Sequence, residues 1–61
     1  MKFVILNHQT GSYWSNISGW TDLYSSTKFT IDESHNIDKP IDGVWISIRA
    51  AKNLKNGILE V

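Results

Sequence analysis

Residues 2–15 read KFVILNHQTGSYWS, and this stretch organises the rest of the chain. Residues 2–7 are rich in β-branched and aromatic side chains and are apolar on both faces, which is typical of a β-strand. Residues 8–12 carry a turn signal, in which Gly11 is available for a positive φ. Extended character resumes at residues 13–15, so residues 2–15 predict a β-hairpin.

Three further elements are predicted beyond this hairpin. Residues 27–30 fit a third short strand. Thr30 and Glu33 have the spacing of a capping box, in which each side chain bonds the backbone N–H of the other, and they predict a short helix over residues 31–36. Residues 44–48, Val-Trp-Ile-Ser-Ile, predict another strand.

The last segment fits two structures. Residues 49–56 contain helix formers, and Gly57 can end a helix there. The dipeptide at residues 56–57, Asn-Gly, is also a strong hairpin signal that would join a continuing strand to residues 58–61. Because a helix of barely two turns is marginal without packing, we favour the hairpin slightly and leave the helix open. The fold class expected is α+β, a small twisted antiparallel sheet of three to five strands with one short helix.

Composition excludes several classes of protein. The chain has 61 residues, no cysteine, and six basic against six acidic side chains. We therefore expect a single small domain over residues 1–61, without disulfides or thiolate chemistry. The balanced charge argues against general nucleic-acid binding. Since there is no signal-peptide pattern and no apolar run of about 18 residues, we expect a cytoplasmic protein that does not bind membranes.

The small size also bears on assembly. A chain of about 60 residues buries only about 60% of the surface that it exposes when unfolded, so a monomer is marginally stable. Three tryptophans, two tyrosines and two phenylalanines nevertheless have to be removed from water. Self-association supplies the missing buried area, and we expect a homo-oligomer.

No catalytic, metal or cofactor site is indicated. His8 and His35 are the only imidazoles, and neither has a second soft ligand nearby. Asp32, Asp38 and Asp42 do not follow a calcium-loop pattern. The four glycines are isolated, so no phosphate-binding loop is present, and no serine lies in a nucleophile elbow. We expect a protein that is not an enzyme and that uses no cofactor.

Aromatic side chains near basic ones form the one candidate binding feature. Aromatic rings and a guanidinium group can stack a base and hold a phosphate, and an oligomer interface could complete such a site. The alternative is that Trp14, Trp20 and Trp45 form the core. Trp45 is predicted to be core in either case, whereas the two tyrosines are predicted at the surface. The candidate ligand- or partner-binding residues are Tyr13, Trp20, Tyr24, Lys28 and Arg49.

Five short motifs follow one another along residues 3–48. They are an FVI strand, a TGxYWS hairpin, a GWT turn, an FTxxE helix start and a PxxGxW strand. This pattern resembles one in small uncharacterised proteins of bacteriophages and cyanobacteria. The resemblance brings no assigned activity and no site residues. It implies a phage or prophage setting, in which such proteins bind a host factor or signal stoichiometrically.

These observations lead to a functional hypothesis with two alternatives. We expect a non-enzymatic, phage-type binding protein that inhibits a host protein, such as a defence component, by stoichiometric binding. The first alternative is an oligomeric sponge that sequesters a nucleotide second messenger at a subunit interface. The second is an orphan structural or regulatory module.

Overall fold

A computed structural model gives the structure of the protein over residues 2–60, with side chains described over residues 2–54. The elements are β1 (Phe3–Asn7), β2 (Tyr13–Ser15), β3 (Gly19–Thr21), α1 (Ile31–Asn36), β4 (Gly43–Ser47) and α2 (Ile48–Glu60). The strands form one antiparallel sheet in the order β3-β2-β1-β4. The predicted α+β class is therefore confirmed.

Strand β1 is the centre of the sheet. The predicted hairpin forms, with Leu6 of β1 opposite Tyr13 of β2, and β4 pairs with β1 along its whole length on the other side. Because successive side chains of a strand point to opposite faces, β1 contributes to both faces of the sheet. Val4 is 0% exposed and Ile5 is 1% exposed, so both of these faces are covered.

The turn between β1 and β2 is held by the buried side chain of Asn7. Its Oδ1 accepts hydrogen bonds from the backbone N–H groups of Gln9, at 2.9 Å, and Thr10, at 3.1 Å. An asparagine that bonds the backbone of following residues in this way stabilises a turn, together with the backbone bond from Gly11 N–H to the Asn7 carbonyl at 2.8 Å. Gly11 has a φ of 79°, as the sequence predicts.

Residues 27–30 do not form the predicted strand. They fill the gap where β1 and β2 diverge. Phe29 makes a single bridge to Phe3, with N–H to O=C distances of 2.7 and 2.8 Å, and Thr27 N–H donates to the Trp14 carbonyl at 2.9 Å. The segment is thus hydrogen-bonded to β1 on one side and to β2 on the other. Each pairing is too short to form a strand.

Helix α1 begins where the capping box predicts. The N–H of Glu33 donates to Thr30 Oγ1 at 3.2 Å, and the N–H of Thr30 donates to Glu33 Oε1 at 2.7 Å. None of the residues of α1 is buried. Local capping therefore supports this helix more than packing does.

The last described residues are helical. Because α2 runs over Ile48–Glu60, the hairpin favoured for residues 49–61 is wrong. The described residues form two helices where one was expected. Val61 lies outside the described residues. Ser47 caps the helix, since its Oγ accepts from the N–H of Ala50 at 3.1 Å.

Helix α2 covers one face of the sheet, termed the helix face. Tyr13 belongs to the core on this face, because it lies opposite Leu6 in the antiparallel pair and so shares its face. The predicted surface position of Tyr13 is therefore wrong. The buried members of this core are Val4, Tyr13, Leu23 and Ala51, with Leu6, Ile46 and Ile48 packed against them.

The sheet curls strongly towards its opposite face. Trp20 lies on β3 and Gly43 on β4, which are the two edges of the sheet. A Cβ atom on Gly43 would nevertheless lie only 3.5 Å from Cη2 of Trp20, and 2.6 Å from Cγ2 of Ile5. Glycine leaves room for Ile5 at this position, whereas the distance to Trp20 is an ordinary van der Waals contact.

Replacement of Gly43 by alanine tests this close packing. We expect Gly43→Ala to lower the free energy of unfolding by about 1–3 kcal/mol, because the new methyl group overlaps Ile5. Gly11→Ala is the comparison: its Cβ meets nothing within 4 Å, so its cost is conformational and comes from the positive φ. Urea unfolding and near-UV circular dichroism measure both variants. Wild-type stability and an unchanged aromatic spectrum in Gly43→Ala would contradict the packing.

Candidate functional site

All three tryptophans emerge on the face opposite α2, here termed the aromatic face. Trp14 lies opposite Trp20 in the β2–β3 pair, and Trp45 lies opposite Ile5 in the β1–β4 pair. Opposed residues of an antiparallel pair share a face, and each of these tryptophans alternates with a residue of the helix face. The alternation of side chains along the strands thus separates the aromatic rings from the helix.

Edge-to-face contacts order the rings. The centroids of Trp14 and Trp20 are 5.3 Å apart with an interplanar angle of 76°, and those of Phe29 and Trp45 are 5.1 Å apart at 88°. Such contacts are favourable for aromatic quadrupoles. Phe29 is buried, whereas all three tryptophans are only half-buried. Trp45 is therefore not the core residue that the sequence predicts.

A groove of about 320 Å³ lies beside the rings of Trp14 and Phe29. The segment after α1 forms one wall, and these two rings form part of the other. Asp38 and Lys39, both exposed, place charges of opposite sign at its margin. The residues that line the groove include Ile5, Trp14, Phe29, Ile37, Lys39 and Pro40.

Ile37 adds an exposed apolar side chain to the groove. This residue, the C-cap of α1, is 40% exposed, and Ile31 and Ile41 elsewhere in the same part of the chain are more exposed still. An exposed apolar group beside half-buried aromatic rings suits a surface that binds a partner. The sequence contained a signal for this surface only in its aromatic content.

A second cavity of about 430 Å³ lies on the helix face, between α2 and the β1–β2 turn. Its walls are mainly apolar and include Leu6, Tyr13 and Leu54, but Asp22 places a carboxylate there. That charge is unfavourable for a phosphate group. Burial raises the pKa of the Tyr13 phenol above its ordinary value.

The structure separates the candidate binding residues that the sequence suggests. Tyr13 is buried on the helix face, and Trp20 lies on the aromatic face. Tyr24 is 82% exposed, as predicted, in the loop that leaves β3. Arg49 is exposed in the first turn of α2. Within one chain these side chains do not meet on a single surface.

Lys28 closes the loop that contains Tyr24. Its Nζ donates to the carbonyls of Leu23 and Ser26, both at 2.7 Å, to the Tyr24 carbonyl at 3.3 Å, and to Ser26 Oγ at 3.1 Å. An ammonium group has three protons, and these acceptors occupy them. The charge of Lys28 therefore holds the loop together.

Among the side chains of residues 2–54, no three or more His, Cys, Asp or Glu residues are placed to share a metal ion. No helix within residues 2–60 has both the length and the apolar character needed to cross a membrane.

Comparison with known proteins yields no match. No family model matches the chain, and neither a similar curated protein nor a similar solved structure is found.

Removal of the Lys28 ammonium tests its role in the loop. We expect Lys28→Met to lower the free energy of unfolding by about 2 kcal/mol, because several charge-assisted hydrogen bonds to half-buried carbonyls are lost. Lys52→Met, at an exposed position of α2, serves as the matched control and should change stability by less than about 0.5 kcal/mol. Urea unfolding measures both. Equal effects of the two substitutions would contradict the role of Lys28.

The pH dependence of stability tests the burial of Tyr13. Because the folded state raises the pKa of this phenol, its stabilising effect is complete below the unfolded value of about 10 and is lost as the pH rises through the folded pKa. We expect the free energy of unfolding to fall above about pH 10, and Tyr13→Phe to reduce that fall. The same alkaline loss in wild type and in Tyr13→Phe would show that Tyr13 is not the source.

Proposed function

We propose that this protein is a non-enzymatic binding protein that inhibits a host protein by stoichiometric binding, with the aromatic face as its contact surface. One observation carries the proposal: Trp14, Trp20 and Trp45 are half-buried together on the face opposite α2. The phage setting that the sequence motifs imply supports inhibition as the result of such binding, in the cytoplasm of the host.

Energetic considerations support this choice of surface. Tryptophan is enriched among the residues that contribute most to protein–protein affinity. The remaining exposed area of each indole is available for burial, at about 25 cal/mol per Å². The rings are already ordered by their contacts with each other and with Phe29. Binding therefore costs less side-chain entropy than it would on a surface of flexible side chains.

The margin of the surface supports selectivity. Asp38 and Lys39 are exposed charges of opposite sign beside the groove. Charges at the rim of an interface mainly affect association rate and partner choice, whereas the desolvated centre supplies affinity. A protein partner with an apolar centre and a mixed-charge rim fits this arrangement. Self-association is part of the proposal, because one chain of this size has little core of its own.

A pair of exposed isoleucines provides the test. Ile37 is 40% exposed and lines the groove, whereas Ile17 is 96% exposed in the turn between β2 and β3. Both can be changed to aspartate with little effect on folding, since neither is buried. The immobilised protein captures its target from a bacterial lysate, and calorimetric titration of the purified target with each variant then gives the affinity.

We expect Ile37→Asp to weaken binding by at least about tenfold, equivalent to about 1.4 kcal/mol, and Ile17→Asp to bind as wild type. Equal affinities of the two variants would contradict the aromatic face as the contact surface. Native mass spectrometry of the protein purified from the same cells adds a second criterion. A bound small molecule without a bound polypeptide would favour the nucleotide sponge instead.

A further inference from the structure

The outer edge of β4 is open. Within residues 2–60, β4 has β1 as its single strand neighbour. The residues of β1 and β4 that lie side by side differ in exposure: Val4 and Ile5 are fully buried, whereas Ile46 and Trp45 opposite them are half-buried. The open edge follows from the sheet order, since the exposure of Trp45 also includes its ring on the aromatic face.

This edge carries none of the usual features that prevent pairing. Natural edge strands are commonly short, charged, interrupted by proline or bulged. Strand β4 reads GVWIS, with no charge and no proline, and it pairs with β1 in continuous register over five residues. The opposite edge, β3, has only three residues. Among the described strands, β4 is therefore the edge best suited to accept another strand.

Hydrogen bonds at both ends of β4 fix which residues face outward. Ile48 N–H donates to the Lys2 carbonyl at 3.0 Å, and His8 N–H donates to the Asp42 carbonyl at 3.3 Å. Bonded and non-bonded pairs alternate along an antiparallel ladder. The even-numbered residues of β4 therefore bond β1, and the odd-numbered residues direct their backbone groups to the open edge.

Two of the outward-facing groups are already engaged. Gly43 N–H donates to the Pro40 carbonyl at 3.0 Å. Ser47 is the capping residue of α2, and the carbonyl of a capping residue accepts the first bond of its helix. The groups left for a new strand are the N–H and C=O of Trp45, the C=O of Gly43 and the N–H of Ser47.

We propose that a second copy of this chain occupies this edge, paired antiparallel through β4 about a twofold axis at Trp45. Trp45 then exchanges N–H···O=C bonds with Trp45 of the second copy in both directions. Each Ser47 N–H meets the Gly43 carbonyl of the second copy. The two engaged groups, Gly43 N–H and Ser47 C=O, fall opposite each other, so the edge is complementary to itself.

The side chains agree with this pairing. On the aromatic face, Trp45 lies beside Trp45 of the second copy, and on the helix face Val44 lies opposite Ile46. Aromatic and β-branched cross-strand pairs each stabilise a sheet by about 0.2–1 kcal/mol. No like charges are opposed along β4, and the net charge of the chain is zero, so there is little repulsion between copies.

The pairing extends the binding surface. A twofold axis through an antiparallel bonded pair is perpendicular to the sheet, so the two aromatic faces lie on the same side of one continuous sheet. This inference rests on the self-association included in the proposed function and specifies where it occurs. It does not depend on which protein the aromatic face binds.

Backbone N-methylation at Trp45 tests the edge without changing a side chain. A chain of 61 residues is accessible to chemical synthesis with N-methyl-Trp45, which loses the outward N–H and carries a methyl group at the contact. N-methyl-Trp20 is the matched control on the other edge. Trp14 is paired with Trp20, and its carbonyl accepts from Thr27 on the side away from β3. Trp14 and Trp20 are therefore a non-hydrogen-bonded pair, and the N–H of Trp20 points away from β2, towards the free edge of β3.

Sedimentation equilibrium from micromolar to millimolar concentration gives the oligomeric state. We expect twice the mass of one chain for wild type and for N-methyl-Trp20, and a single-chain mass for N-methyl-Trp45 with an unchanged far-UV circular dichroism spectrum. A dimer of N-methyl-Trp45 would overturn the β4 edge while leaving self-association intact. Wild type that remains monomeric at millimolar concentration would overturn both, but not the aromatic face as a binding surface.

Amide hydrogen exchange in wild type provides a measurement without a modified residue. The N–H of Trp45 has no strand neighbour in the single chain, so the second copy is what protects it. We expect its exchange to slow as the concentration rises through the dimerisation range, while the N–H of Trp20 exchanges at a constant rate. A Trp45 exchange rate that does not depend on concentration would overturn the inference, even if N-methylation unfolds the chain.

Discussion

The structure depends on the burial of both faces of β1. Val4 points to the helix face, where Ala51 of α2 covers it, and Ile5 points to the aromatic face. Aromatic rings and the segment after α1 lie over that second face, and the sheet curls so that Trp20 reaches Gly43. The three tryptophans are half-buried in this arrangement.

Features set by neighbouring residues could be predicted, and features set by distant ones could not. The capping box of Thr30 and Glu33 depends only on residues within four positions of each other, and it forms as expected. The burial of Tyr13 depends on which face α2 covers, and α2 itself depends on packing against β1. The hydrogen bonds of Lys28 could not be predicted, because they go to backbone carbonyls, which every residue has. Aromatic content indicated a binding surface, but strand alternation decided which rings share it.

The proposed binding function rests on two surfaces. The aromatic face offers ordered, half-buried rings, and Asn16, Asp38 and Lys39 lie beside it in the groove. The outer edge of β4 offers backbone groups in a pattern that matches itself. Pairing at that edge would enlarge the aromatic face and add the buried area that a chain of this length lacks.

Accessibility of the three indoles to a soluble paramagnetic probe tests this account most directly. The measurement compares attenuation of the indole N–H signals with that of the Ala51 and Val4 methyl signals in a dilute solution. The account predicts strong attenuation for Trp14, Trp20 and Trp45, and protection of the methyl groups of Val4 and Ala51, which are buried between the sheet and α2. Indole signals as protected as those methyl groups would contradict an open aromatic face.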